Sequence, residues 1–197
     1  MDEASFLLFN ADSARRVIVT APHAKSPCAD RKTGLLAWLV AQKSGVTALV
    51  GRTSRAFLDL NRAEANNHPF RLELGKLIEQ KQKPLLVMNL HGTARPVVEV
   101  GSASGRTASR DVVALVLEVF KAHGLSAVAD AHFRGALRGT IIGTFGRPDA
   151  GVHAVQLELP IRLREPDALD ATAGMLAEIA QAFEEKFAPA KNSKPSF

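Results

Sequence analysis

One cysteine, Cys28, stands in the whole chain, so neither an internal disulfide framework nor a cysteine-rich zinc module is available. Tyrosine is absent, which excludes a mechanism that relies on a phenol. No uninterrupted apolar run approaches the roughly 18 residues that a membrane span needs. Met1-Asp2-Glu3 lacks the basic start and apolar stretch of a secretory signal, so a cytoplasmic address without membrane contact is expected. There is no internal repeat and no low-complexity region. Basic residues outnumber acidic ones, 25 to 20, for a formal charge of +5. They are scattered, however, with no basic helix face and no aromatic stacking platform, so no nucleic-acid partner is expected.

What remains is ordinary globular material: 197 residues, 46% hydrophobic and 23% charged, enough for one domain with a real core. That domain is expected over 1–187, with 188–197, rich in Pro, Ala and Lys, as a flexible tail. Short β-branched or apolar runs predict strands at Val17–Thr20, Val46–Val50, Ala56–Leu60, Leu85–Met88, Val97–Val100, Ala127–Ala129, Thr140–Ile142 and Ala154–Leu159. Helical spacing fits the stretch holding Leu35, Leu36, Leu39 and Val40, with Asp30 as N-cap and Gly45 as stop. It also fits the stretch with Leu72, Leu77 and Ile78 after Pro69, Asp111–His123, and a last helix from Pro166 to near Phe187. Strands alternating with helices of this length predict a mostly parallel sheet covered on both faces. Ligands of such sheets gather beyond the carboxyl ends of the strands.

That rule ranks the polar residues. His23, Asn61-Arg62 and His91 each follow a predicted strand at the same end of the sheet. Two imidazoles plus a carboxylate would make a catalytic zinc site with one position open to water; the plainer reading is a pair of hydrogen-bonded strand-end histidines. A His-x-x-Glu pattern fails, because Ser26 stands three residues after His23. Asp30 is then the favoured carboxylate, ahead of the soft ligand Cys28, although helix capping would also explain it. Arg62 has the planar fork that binds a carboxylate, with Arg55 as a second candidate; an ion pair of Arg62 with Asp59 or Glu64 is the ordinary alternative. Glu158 ends an apolar strand, where a carboxylate is costly unless paired or engaged in chemistry, and a general base fits that position. Gly101–Thr107 resembles a phosphate loop but has the wrong spacing and lacks the lysine, so it is read as a turn or at most an anion contact. His68 and His123 read as structural, the latter at a helix C-terminus.

These pieces together resemble the N-formylglutamate amidohydrolase family. The stretches that carry the resemblance are Ala21-Pro22-His23-Ala24, Ser54 to Arg62, Asn89-Leu90-His91-Gly92 and His153-Ala154-Val155-Gln156-Leu157-Glu158-Leu159, with looser agreement at Phe133-Arg134-Gly135 and Gly139 to Gly146. The family is in turn distantly similar to the zinc carboxypeptidases. The resemblance implies a three-layer α/β/α sandwich with a mixed, mostly parallel central sheet, of the phosphorylase/hydrolase-like kind. It implies one Zn2+ per chain, held by His23, Asp30 and His91, with Glu158 as the base and Arg62, aided by Asn61, as the carboxylate clamp. The family often has a basic residue where Gly143 stands here, and Arg134 or Arg138 could supply that charge to an oxyanion. The implied reaction is metal-dependent hydrolysis of the acyl–amide bond of an N-formyl or N-acyl amino acid, a small-molecule substrate. A zinc carboxypeptidase-like peptidase and a non-catalytic binder of anionic metabolites are the alternatives.

Overall fold

The computed structural model describes residues 5–27, 30–133 and 139–188. Cys28, Arg134, Arg138 and all but the first residue of the expected 188–197 tail lie outside the described residues.

A seven-stranded mixed sheet runs in the order β1-β3-β2-β4-β7-β5-β6. Its members are β1 (Phe6–Phe9), β2 (Val17–Ala21), β3 (Thr47–Gly51), β4 (Leu85–Thr93), β5 (Val98–Gly101), β6 (Ala127–Ala129) and β7 (Val152–Pro160). The neighbours β3, β2, β4 and β7 are parallel, as are β5 and β6; β1 on β3 and β5 on β7 are antiparallel. Helices α1 (Thr33–Ser44), α3 (Arg110–Ala122) and α5 (Leu169–Lys186) belong to one layer, and α2 (Pro69–Gln80) and α4 (Ile141–Phe145) to the other.

Strand alternation builds both layers. Val17, Val19, Leu86, Met88 and Leu90 face the α1/α3/α5 core, whereas Ile18, Leu85, Val87 and Ala154 face the α2/α4 core. Burial on both faces is why the central strands read as continuous apolar runs. The expected three-layer α/β/α sandwich with a mixed, mostly parallel sheet is what the chain forms.

Some sequence expectations fail locally. Ala56–Leu60 is a run of turns, not a strand. The Ser54 carbonyl accepts the amides of Phe57 and Leu58, its hydroxyl accepts that of Ala56, and the Asp59 carboxylate accepts that of Asn61. These polar side chains capture backbone donors that a sheet ladder would need. The expected strand at Thr140–Ile142 is the start of α4, because the Thr140 hydroxyl caps Gly143. The N-cap of α1 is Lys32, not Asp30, and Leu72 of α2 points outward at 50% exposure. Gly45 does stop α1, in the left-handed conformation with φ 69°. In the Gly101–Thr107 turn, the Asp130 carboxylate already accepts the Ser102 and Ser104 amides and the Ser102 hydroxyl. An internal carboxylate thus takes the place of any external anion there. No helix among the described residues is long and apolar enough to cross a membrane.

Candidate functional site

The carboxyl ends of the central strands converge on one cavity of about 710 Å³. Period-two alternation puts Asn89 and His91 of β4 on the same sheet face, and the parallel register sets Gln156 and Glu158 of β7 beside them. Antiparallel β5 brings Glu99 opposite Glu158. His91 therefore lies within the end of β4 and not after it, while His23 follows β2 and Asp30 follows in the same connection to α1.

His23, Asp30 and His91 each offer one ligating atom, and the three atoms lie within 4.8 Å of one another. Asp30 Oδ2 is 3.3 Å from His23 Nδ1 and 3.1 Å from His91 Nδ1. Zinc bonds of roughly 2.1 Å arranged tetrahedrally give ligand–ligand edges of about 3.4 Å, so two of the three edges already have the size such an ion requires. Two imidazole nitrogens and a carboxylate oxygen also match its preferred donors.

The surrounding groups set charge and orientation. Asp59 Oδ1 accepts from His23 Nε2 at 2.7 Å, which leaves Nδ1 directed at Asp30. Burial alone would lower the His23 pKa, but Asp30 and Asp59 raise it. Burial works against the charges of Asp30 and Asp59, yet hydrogen bonds from the histidines hold both well below the usual carboxylate range. His91 Nε2 lies 3.0 Å from Asn89 Nδ2 and 3.3 Å from Asn61 Nδ2. For His91 Nδ1 to offer a lone pair, Nε2 must carry the hydrogen and face an oxygen. Asn89 is the amide that can turn, because its other end rests on the Thr20 hydroxyl, which both donates and accepts. Asn61 cannot, because its Oδ1 accepts the Ile141 amide at 2.8 Å. The donor set fits a metal once Asn89 turns, which gives up the 3.5 Å bond of its Nδ2 to Asn61 Oδ1 and leaves Asn61 Nδ2 donating to Gln156.

Glu158 stands at the other wall of the cavity. Gln156 Nε2 donates to its Oε1 at 2.8 Å. Burial raises its pKa; Asp30 and Glu99 add to this, while His91 and Gln156 oppose it.

Every expected site residue within the described chain lines this cavity: His23, Asp30, Arg55, Asn61, Arg62, His91 and Glu158. Their local roles differ from expectation in two places. The Asn61 side chain is engaged within the protein, on Gln156, His91 and Ile141. Asp59 pairs with His23 and, at 3.1 Å, with Arg55, leaving Arg62 to donate to the Asn61 carbonyl. Sequence reasoning missed Asp59, Asn89 and Gln156 as parts of the site, although each lies in a quoted stretch. Each stands two residues from a named candidate, which was the available signal.

The family model for N-formylglutamate amidohydrolase matches residues 68–163. Comparison with curated proteins finds no match. Among solved structures, an N-formylglutamate amidohydrolase from Ralstonia eutropha JMP134 is similar with a TM-score of 0.77 at 16% identity, over 94% of this chain and 98% of that one. A bacteriophage poly-gamma-glutamate hydrolase is similar at TM-score 0.65 and 13% identity, over 94% and 93%. A metallo-carboxypeptidase from Pseudomonas aeruginosa is similar at TM-score 0.56 and 13% identity, over 86% of this chain and 57% of that one. The resemblance to the N-formylglutamate amidohydrolase family, a family of amidohydrolases, therefore holds in sequence across residues 68–163 and in fold across nearly the whole chain.

Proposed function

We propose that the protein is a metal-dependent amidohydrolase that cleaves the acyl–amide bond of an N-formyl or N-acyl amino acid. The observation that carries this reading is the convergence of His23, Asp30 and His91 with Glu158 in one cavity that Arg55 and Arg62 also line. A zinc ion held by His23, Asp30 and His91 would supply a Lewis acid and a bound water of lowered pKa.

The protein's own groups do the rest. Glu158 Oε2, the oxygen not held by Gln156, takes the proton of the attacking water and passes it to the leaving nitrogen. Its burial strengthens it as a base toward a water near neutrality. Arg62 holds the amino-acid carboxylate in its planar fork and so fixes the scissile carbonyl relative to Glu158. Asn61 acts one layer back, fixing the turn that carries Arg62 and the amide of Gln156. The charge that stabilises the oxyanion is assigned to Arg134 or Arg138, both outside the described residues.

The test is elemental analysis of tag-free protein, wild type and His91→Ala, with a screen of N-formyl and N-acyl amino acids. About one zinc per chain, lost in the variant, together with release of a free amino acid, is expected. Protein that neither holds nor takes up zinc removes this mechanism.

A further inference from the structure

The basic side chains of the cavity come from both flanks of the reaction centre. Arg55 and Arg62 follow β3, Arg95 lies in the β4–β5 turn, and His132 follows β6. In the order β3-β2-β4-β7-β5-β6, the His23/Asp30/His91 group and Glu158 stand between Arg55/Arg62 and the elements that hold Glu99 and His132.

The second side is built around a buried carboxylate. Glu99 Oε2 accepts the amides of His132 at 2.9 Å and Phe133 at 3.1 Å, and Oε1 accepts from His132 Nδ1 at 3.1 Å. The imidazole hydrogen is thereby fixed on Nδ1, and Nε2 has no hydrogen-bond partner among the described residues. The ring is 55% exposed and lines the cavity. Arg95 lies 5.8 Å over the Phe133 ring on the same wall, with Nε 3.7 Å from Glu99. The mechanism above uses none of these groups.

We propose that Arg95 and His132 form a second anion subsite, on the acyl side of the reaction centre, and that the preferred substrate carries a carboxylate on its acyl group as well as on its amino acid. This rests on the amidohydrolase reading, with Arg62 on the amino-acid carboxylate. Arg95 offers its planar fork to a carboxylate, and the outward Nε2 of His132, oriented by the Nδ1 bond to Glu99, is the second contact. Glu99 is a positioning residue, and its four contacts keep the incoming carboxylate from meeting a bare buried charge.

The discriminating pair is N-succinylglutamate and N-acetylglutamate, which share the amino-acid half and differ by a carboxylate on the acyl half. Their binding to zinc-supplemented Glu158→Gln protein is measured by calorimetry. N-succinylglutamate binds about tenfold more tightly. On that background His132→Ala and Arg95→Ala each remove most of the preference and leave N-acetylglutamate affinity unchanged. Equal affinities, a preference that survives both substitutions, or no binding of either compound overturns the subsite. For Glu99 the readout is the tautomer: ¹⁵N-histidine spectra show His132 protonated at Nδ1 in the wild type, a preference lost in Glu99→Gln, which a purely architectural role would leave unmoved. Hydrolysis by the wild type is scored separately. A binding preference with no hydrolysis of any compound in the N-formyl and N-acyl amino acid screen removes the amidohydrolase reading and leaves the second anion subsite standing; hydrolysis of N-acetylglutamate without a preference does the reverse.

Discussion

At the scale of single residues, Asp59 and Glu158 divide two jobs that carboxylates can do. Asp59 sits behind His23, 2.7 Å from the ring nitrogen that faces away from Asp30. A carboxylate in that place fixes the tautomer and raises the basicity of a ligating imidazole, and losing such a partner typically costs 10–100-fold in metal affinity. Asp59→Asn is therefore expected to weaken zinc binding by about tenfold or more, read by competition with a chromophoric chelator. Unchanged affinity would mean that His23 is oriented by packing alone. Glu158 has no atom on the three ligating groups and is held instead by Gln156. Glu158→Gln should keep the metal while lowering kcat by at least about 100-fold; a variant that retains turnover would move the base elsewhere. Both residues were visible in the sequence, but only one was assigned. Glu158 stood out because a carboxylate ending an apolar strand demands a reason. Asp59 did not, because its partner lies 36 residues away and only the fold brings them together.

At the scale of elements, the legible parts were those whose reason is local. β2, β3, β4 and β7 are buried on both faces, so their composition announced them. The half-exposed edge strand β1 was not foreseen, since it is set by pairing with β3 and not by its own pattern. The Ala56–Leu60 stretch misled because Phe57, Leu58 and Leu60 mimic a strand, yet Phe57 is 86% exposed and the polar neighbours close turns. Those turns are held from below by Arg71 of α2, a buried guanidinium whose Nη1 donates to the carbonyls of Arg62 at 3.1 Å and Gly139 at 2.7 Å. Gly139 has φ +86° and packs its Cα against Ala63, where no side chain fits. Arg71→Met leaves those buried carbonyls without a donor and should cost about 3 kcal/mol in chemical unfolding; a loss under about 1 kcal/mol would show that water replaces the guanidinium. A second element-scale prediction concerns pH. His153 of β7 accepts the Ser109 amide that starts α3, beside the rings of Phe183 and Phe187, and burial lowers its pKa below the ordinary 6.5. Below about 6.5 the unfolded chain binds a proton that the folded chain refuses, so stability falls as pH falls through that window. His153→Gln should flatten that part of the stability–pH curve, measured by denaturant titration between pH 7 and 5; an unaltered slope would assign the dependence to other groups.

At the scale of the whole molecule, the site gathers four carboxylates, Asp30, Asp59, Glu99 and Glu158, at the carboxyl edge of one sheet. Asp59 is balanced by His23 and Arg55, and Glu99 by His132 and two backbone amides. Asp30 is balanced by His23 and His91, whereas Glu158 carries a charge that the neighbouring Asp30 and Glu99 disfavour. A divalent cation among His23, Asp30 and His91 would relieve that repulsion while joining the β2–α1 connection to the end of β4. Binding to the folded state alone stabilises it by about 2.7 kcal/mol when the free ligand is at 100 times its Kd. For a chain of this size each kcal/mol moves Tm by about 2–4 °C, so metal supplied at that excess should raise Tm by roughly 5–10 °C over chelator-treated protein. His91→Ala should melt at the same temperature with and without zinc. Magnesium, which prefers six oxygen ligands, should do little to the wild type. If chelation leaves the wild-type Tm where it was, the three residues are a hydrogen-bonded cluster that serves the fold.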